Sequence, residues 1–219
     1  MKEKKSIDGP SIEPISGKIE KIVIFLHGYG SNGEDLITIG SRWSQEIPNT
    51  IFYSPNAPFL CPASPEGFEW FKLFERTEEE IKKGLEEAGP YLYNFINEVL
   101  GKHKLESKDL LIVGFSQGTI MSLYHLNKKK NSCAGIIGYS GYLFENKNFT
   151  NEVKSKFPVF LYHGKNDEVI NSDASEIAAK RLSELGFEVT LLIQNNLGHG
   201  IDENGLDQGK EFIKKVFKL

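Results

Sequence analysis

Gly114-Phe115-Ser116-Gln117-Gly118 places a serine between two glycines at the end of a short apolar run, Leu110 to Val113. A helical stretch, Thr119 to Lys130, follows at once. This is the G-x-S-x-G pattern of a nucleophile elbow, in which a tight strand-to-helix turn holds the central hydroxyl out from the sheet edge. Glycines on both sides let strand and helix approach closely. The helix N-terminus beneath the serine offers unpaired N–H groups and partial positive charge to a developing oxyanion. The pattern alone is short, and the strand and helix around it give it meaning. A serine hydroxyl is a poor nucleophile until a neutral imidazole accepts its proton. That imidazole needs a carboxylate on its other nitrogen to fix the tautomer and stabilise the imidazolium.

The elements that must position such groups alternate along the chain. Lys21 to Leu26, Thr50 to Ser54, Leu110 to Val113, Ala134 to Tyr139, Phe157 to Tyr162 and Phe187 to Ile193 are apolar runs of strand length. Their continuity marks strands covered on both faces. Helical patterns lie between them: one ending near Glu46, one from Thr77 to about Val99, one from Ser172 to Gly186 and one from Leu206 to Phe217. Thr77 with Glu80 reads as a capping box, and Gly89-Pro90 is expected to break or kink the helix that follows. Ser11 to Ile15 is a candidate edge strand, where Pro14 is tolerated. The long segment 55–76 carries Pro55, Pro58, Pro62 and Pro65 and reads as a functional loop. The order implies one α/β domain over residues 1–219, with a mostly parallel central sheet flanked by helices and 1–19 as an N-terminal edge segment.

In such a sheet chemistry collects at the carboxyl ends of strands. Ser116 is at one, Asp167 just past another, and His199 just past the last. Asp167 is preferred over Glu168, its neighbour, and over Asp173, which suits the first turn of a helix. His103 and His125 fall in helical stretches and read as exposed or half-buried helix residues; His27 and His163 each precede a glycine and read as turn-shaping.

Bulk properties narrow the function. A net charge of −4 over 219 residues argues against a nucleic-acid surface. Cys61 and Cys133 are too few and too dispersed for a disulfide framework or a zinc site, so neither metal nor cofactor is expected. The N-terminus lacks an apolar signal core, and no apolar stretch approaches a membrane span. A cytoplasmic location is the default, and oligomeric state is open, a homodimer included.

Leu26-His27-Gly28-Tyr29-Gly30 with Asp35, then Gly-Phe-Ser-Gln-Gly, then His163-Gly164 with Asp167 and Val169, then Gly198-His199-Gly200 resemble the phospholipase/carboxylesterase family of α/β-hydrolases. The Ser…Asp…His order is that of the α/β-hydrolase fold. The resemblance runs from about residue 20 to the C-terminus. It implies Ser116, Asp167 and His199 as catalytic residues, and the backbone N–H groups of Tyr29 and Gln117 as the oxyanion hole. Related thioesterases often have Leu where Tyr29 stands, which changes bulk near the acyl pocket. Trp70-Phe71 resembles an aromatic, substrate-binding pair of the bacterial carboxylesterase branch. The implied activity is hydrolysis of small carboxylic esters; the short, polar segment Ser140 to Lys156 leaves the site open, so short to medium acyl chains are expected. An acyl-protein thioesterase or lysophospholipase on the same residues is the alternative.

A rival signal is Gly28-Tyr29-Gly30-Ser31-Asn32-Gly33, which fits the dinucleotide-binding glycine pattern. That fold wants an acid at the end of the next strand, where this chain has Phe52-Tyr53-Ser54-Pro55. Between Tyr139 and Phe157 the chain is polar and too short for a helical cap, so no separate lid domain is expected.

The choice of acid is open to a direct check. Asp167→Asn favours the wrong imidazole tautomer and should cost about 10⁴ in kcat, whereas Glu168→Gln and Asp173→Asn should leave turnover near wild type. Near-normal kcat in Asp167→Asn, with loss in one of the others, would reassign the acid.

Overall fold

The computed structural model describes residues 5–219; the first four residues of the N-terminal edge segment lie outside the described part. Nine strands and six helices follow in this order: β1 (Ser11–Ile12), β2 (Lys21–Leu26), α1 (Gly33–Trp43), β3 (Thr50–Tyr53), β4 (Phe59–Leu60), β5 (Phe68–Glu69), α2 (Glu78–His103), β6 (Leu110–Phe115), α3 (Gln117–His125), β7 (Gly135–Tyr139), α4 (Phe149–Glu152), β8 (Val159–Gly164), α5 (Asp173–Glu184), β9 (Val189–Gln194) and α6 (Glu203–Phe217). Seven strands form one sheet in the order β1-β3-β2-β6-β7-β8-β9. All its pairs are parallel except β1 with β3, which is antiparallel at the edge.

Alternation along each strand sorts the side chains between two apolar layers. Ile22, Ile24 and Leu26 face the layer that holds Leu85, Leu92, Met121 and Leu182, from α2, α3 and α5. Val23 and Phe25 face Leu36, Trp43, Phe212 and Ile213, from α1 and α6. Both faces of the central strands are thus covered, which is why their sequences are apolar without a polar alternate. This is the α/β-hydrolase architecture expected from the sequence. The segment after β7 folds back on the core through Phe144 and Phe149, with only the single-turn α4 in it.

Four local expectations need correction. α2 is unbroken from Glu78 to His103 with Pro90 inside it. Proline in a helix costs about 3 kcal/mol. Here Pro90 is exposed, while Ile81, Leu85, Ala88, Leu92, Phe95, Ile96 and Val99 bury one continuous face. Burial of each large apolar side chain contributes roughly 1.5–3 kcal/mol, and the sum outweighs the proline. Secondly, Thr77 caps Glu80 N–H at 3.2 Å, but the Glu80 carboxylate reaches past Thr77 to accept the N–H groups of Glu75 and Arg76. Thirdly, the 55–76 segment is not all loop: β4 and β5 form an antiparallel pair within it.

His125 is fully buried rather than half-exposed. Its Nε2–H donates to Leu85 O of α2 at 2.8 Å, and the Tyr93 hydroxyl donates to His125 O at 2.8 Å. Burial lowers its pKa to about 4, against the Leu85 hydrogen bond and aided by the charges of Lys128 and Lys129. An unfolded histidine titrates near ~6.5. Between those values the unfolded chain binds the extra proton, so stability rises with pH there. The contribution is complete above about pH 6.5 and is lost by about pH 4, on the order of 3 kcal/mol in all. Urea unfolding across pH 4–7 should show this slope, and His125→Gln should reduce it by about one proton; an unchanged slope would exclude His125 as its source.

Candidate active site

Ser116 sits between β6 and α3 with φ 52° and ψ −113°, a conformation that costs a non-glycine residue on the order of 1–3 kcal/mol. The surrounding backbone holds it there. Ser116 N–H donates to Tyr139 O of β7 at 2.9 Å, and Ser116 O accepts from Thr119 and Ile120 N–H at 3.0 and 3.2 Å. The bend is possible because α3 touches β2: a Cβ on Gly118 would lie 1.8 Å from Leu26 O.

The turn after β2 passes beside the serine, where a Cβ on Gly28 would stand 3.4 Å from Ser116 Cβ. Buried His27 sets this turn, as its sequence position suggested. Ala57 N–H donates to its Nε2 at 2.9 Å, so Nδ1 carries the proton and donates to Gly28 O at 2.8 Å. Among the described residues the N–H groups of Tyr29 and Gln117 have no hydrogen-bond partner, in contrast to Gly30 and Ser31 on the same turn. The glycine-rich stretch is committed to this turn and to α1: Gly33 N–H is taken by Asn56 Oδ1 at 2.8 Å, and Asn32 caps Asp35 N–H at 3.1 Å.

β8 and β9 are paired neighbours, and the loops after them bring Asp167 and His199 together. His199 Nδ1–H donates to Asp167 Oδ2 at 2.7 Å. Asp167 Oδ1 accepts Val169 and Ile170 N–H at 2.8 and 2.9 Å. Burial pushes this carboxyl's pKa up, but the Ile170, His199 and Val169 donors outweigh it and hold the pKa below the ordinary value, so Asp167 is ionised at neutral pH. The same Oδ2 also lies 3.0 Å from Nε2 of fully buried His163, a contact with no signal in the sequence. Glu168 points to solvent and Asp173 opens α5. The His199 ring packs on Phe115 with centroids 5.0 Å apart.

Ser116 and His199 line one cavity of about 600 Å³. Tyr29, Gln117, Phe71, Leu73, Ile81, Ile120 and Tyr142 form its walls. Of the expected aromatic pair, only Phe71 reaches it. Trp70 is fully buried, its Nε1–H donating to His27 O at 3.1 Å, so it is part of the wall's support and not of its surface. Among the described residues no cluster of His, Cys, Asp and Glu is arranged to hold a metal ion.

Residues 7–217 match the model of the Phospholipase/Carboxylesterase family. The chain belongs to that family. It is a hydrolytic enzyme of the α/β-hydrolase fold. Among solved structures it is similar to the esterase PE8, at 36% identity over 96% of this chain and 99% of that one, with a TM-score of 0.92. Curated relatives of the family include acyl-protein thioesterase 1 of Gibberella zeae, 25% identical over 94% of each chain. Acyl-protein thioesterase 1 of Candida albicans is 29% identical, over 93% of this chain and 95% of its own.

The sequence pointed to Gln117 only for its backbone. Its side chain is a clamp: Oε1 accepts Trp70 N–H at 2.7 Å and Nε2 donates to Phe71 O at 2.6 Å. It thereby ties the cavity wall to the elbow helix. Gln117→Ala leaves both buried groups unpaired at about 1–3 kcal/mol each. Calorimetry should therefore show a melting temperature lower by roughly 5–20 °C in a chain of this size; a shift under 2 °C would mean the wall stands without the clamp.

Proposed function

We propose that this enzyme hydrolyses carboxylic esters of short to medium acyl chain through an acyl-enzyme on Ser116, with His199 as general base and Asp167 orienting it. The observation that carries this is the 2.7 Å Asp167–His199 hydrogen bond facing the same cavity as a serine held at φ 52°. With Nδ1–H committed to Asp167, neutral His199 presents a bare Nε2 to the cavity. Ser116 gives its proton to Nε2 as Oγ bonds the substrate carbonyl carbon. The carbonyl oxygen becomes an oxyanion, which the free N–H groups of Tyr29 and Gln117 stabilise. The imidazolium then protonates the leaving alcohol, the C–O bond breaks, and the acyl group stays on Ser116. Water, deprotonated by His199, releases the acid by the reverse sequence.

Phe71, Leu73, Ile81, Ile120 and Tyr142 supply the apolar surface for an acyl chain. Each methylene buried there gains about 0.8 kcal/mol, up to the length at which the wall ends. A thioester is the second reading. It is supported by the acyl-protein thioesterases among the relatives and uses the same residues, with a thiol as leaving group.

Ser116→Ala should lower kcat by on the order of 10⁶ while retaining the wild-type melting temperature. For the wild type, kcat/KM along matched nitrophenyl ester and thioester series should rise over the first few carbons and then level, without a jump above the micelle threshold. A climb continuing to palmitoyl length, or a large uniform preference for thioesters, would favour the second reading.

A further inference from the structure

Asp167 Oδ2 stands between two imidazoles, and only one of them opens onto the cavity. His199 Nδ1 approaches at 2.7 Å from the loop after β9, and His163 Nε2 at 3.0 Å from β8 itself. The His163 side chain is fully buried, as is that of Asp167. Its Nε2 also lies 2.9 Å from Ile170 O. A carboxylate oxygen and a carbonyl oxygen are both acceptors only, so Nε2 must carry a proton and donate to them. On the far side of the ring, Nδ1 is 2.7 Å from Ser175 Oγ, which is itself 2.8 Å from Gly141 O. Gly141 immediately precedes Tyr142, a wall of the cavity. Buried polar contacts therefore run from the cavity wall, through α5 and β8, to the carboxylate.

We propose that His163 is a positioning residue for the reaction: its Nε2–H fixes Asp167 Oδ2 where that oxygen meets His199 Nδ1. The role rests on the assignment of Ser116, Asp167 and His199 given above. The Val169 and Ile170 N–H groups secure only Oδ1. They leave the carboxylate free to tilt about that oxygen, and the His163 donor removes this freedom. A turn-shaping histidine would need no contact with Asp167. Here Nε2–H is directed at the carboxylate and the adjoining carbonyl of the same turn. The titratable groups of the network are Asp167, His163 and His199; the neighbours facing them, Ser175, Gly141 and the Phe115 ring over His199, are uncharged.

The test compares His163→Leu, which removes the donor, with His163→Gln, whose Nε2 amide can replace it. Both are normalised to active sites counted by fluorophosphonate titration, with melting temperatures recorded. His163→Leu should lose about 10- to 100-fold in kcat, the scale of a misplaced catalytic group. KM should stay within threefold, since His163 does not line the cavity. His163→Gln should regain most of that loss. Unimpaired kcat in the leucine variant, or equal impairment of both in step with melting temperature, would overturn the proposal. ¹⁵N-histidine NMR of the wild type decides the hydrogen bond without turnover. A protonated, pyrrole-type Nε2 on His163 is expected, and a bare, pyridine-type Nε2 overturns the proposal even if neither variant folds. Absence of any esterase or thioesterase turnover in the wild type would instead refute the proposed function, and leave the NMR result to stand on its own.

Discussion

The contact between Gly118 and the Leu26 carbonyl is the constraint on which the site depends. α3 cannot start beneath Ser116 unless its first turn lies against the end of β2, and no side chain fits between them. That contact brings the β2 turn, with its unpartnered Tyr29 N–H, beside the serine and the Gln117 N–H. The strain at Ser116 is small compared with what enforces it. β2, β6 and β7 are buried on both faces, so the strand ends cannot shift to relieve one unfavourable φ.

The chemistry is divided between the two halves of the sheet. The central strands position Ser116 and the unpartnered Tyr29 and Gln117 N–H groups through geometry that is almost wholly main-chain. The β8–β9 side delivers the Asp167–His199 pair through side chains on loops. Tyr142, from the turn after β7, and Phe71, held by the Gln117 side chain, close the cavity between the two halves. The substrate wall is therefore connected to the elbow at one point and, through Gly141 and Ser175, to the carboxylate side at another.

Much of this was legible in the sequence because burial leaves a strong mark. Lys21–Leu26 and Leu110–Val113 read as strands since two-sided burial allows no polar alternate. Ser116, Asp167 and His199 were picked out at strand ends, and they do lie past β6, β8 and β9, with Asp167 and His199 in contact. The errors came where tertiary contact overruled a local rule. Gly89-Pro90 was expected to break or kink α2, but seven buried apolar residues hold the helix unbroken through it. Trp70 was read with Phe71 as a substrate-binding aromatic pair, but Trp70 is turned inward onto His27 O and only Phe71 lines the cavity. The β4–β5 pair left no periodicity, because its strands are two residues long. The Gln117 clamp and the His163 contact left no trace, since each depends on where a side chain's far end lands.

The strand that supports the loop of His199 lies at one edge of the sheet. β2, β6 and β7 have their middle residues sealed from solvent, whereas β9 is only half-buried along its length and is paired on one side alone. Edge elements of this kind open locally at a free-energy cost well below that of global unfolding. Such an opening would separate His199 from Asp167 while the elbow, the Tyr29 turn and most of the core stayed in place. On the proposed mechanism, the working lifetime of the enzyme is the lifetime of its sheet edge. Heat or denaturant should silence it reversibly while its core still reports a folded protein, and anything that packs against β9 should prolong its activity without touching substrate.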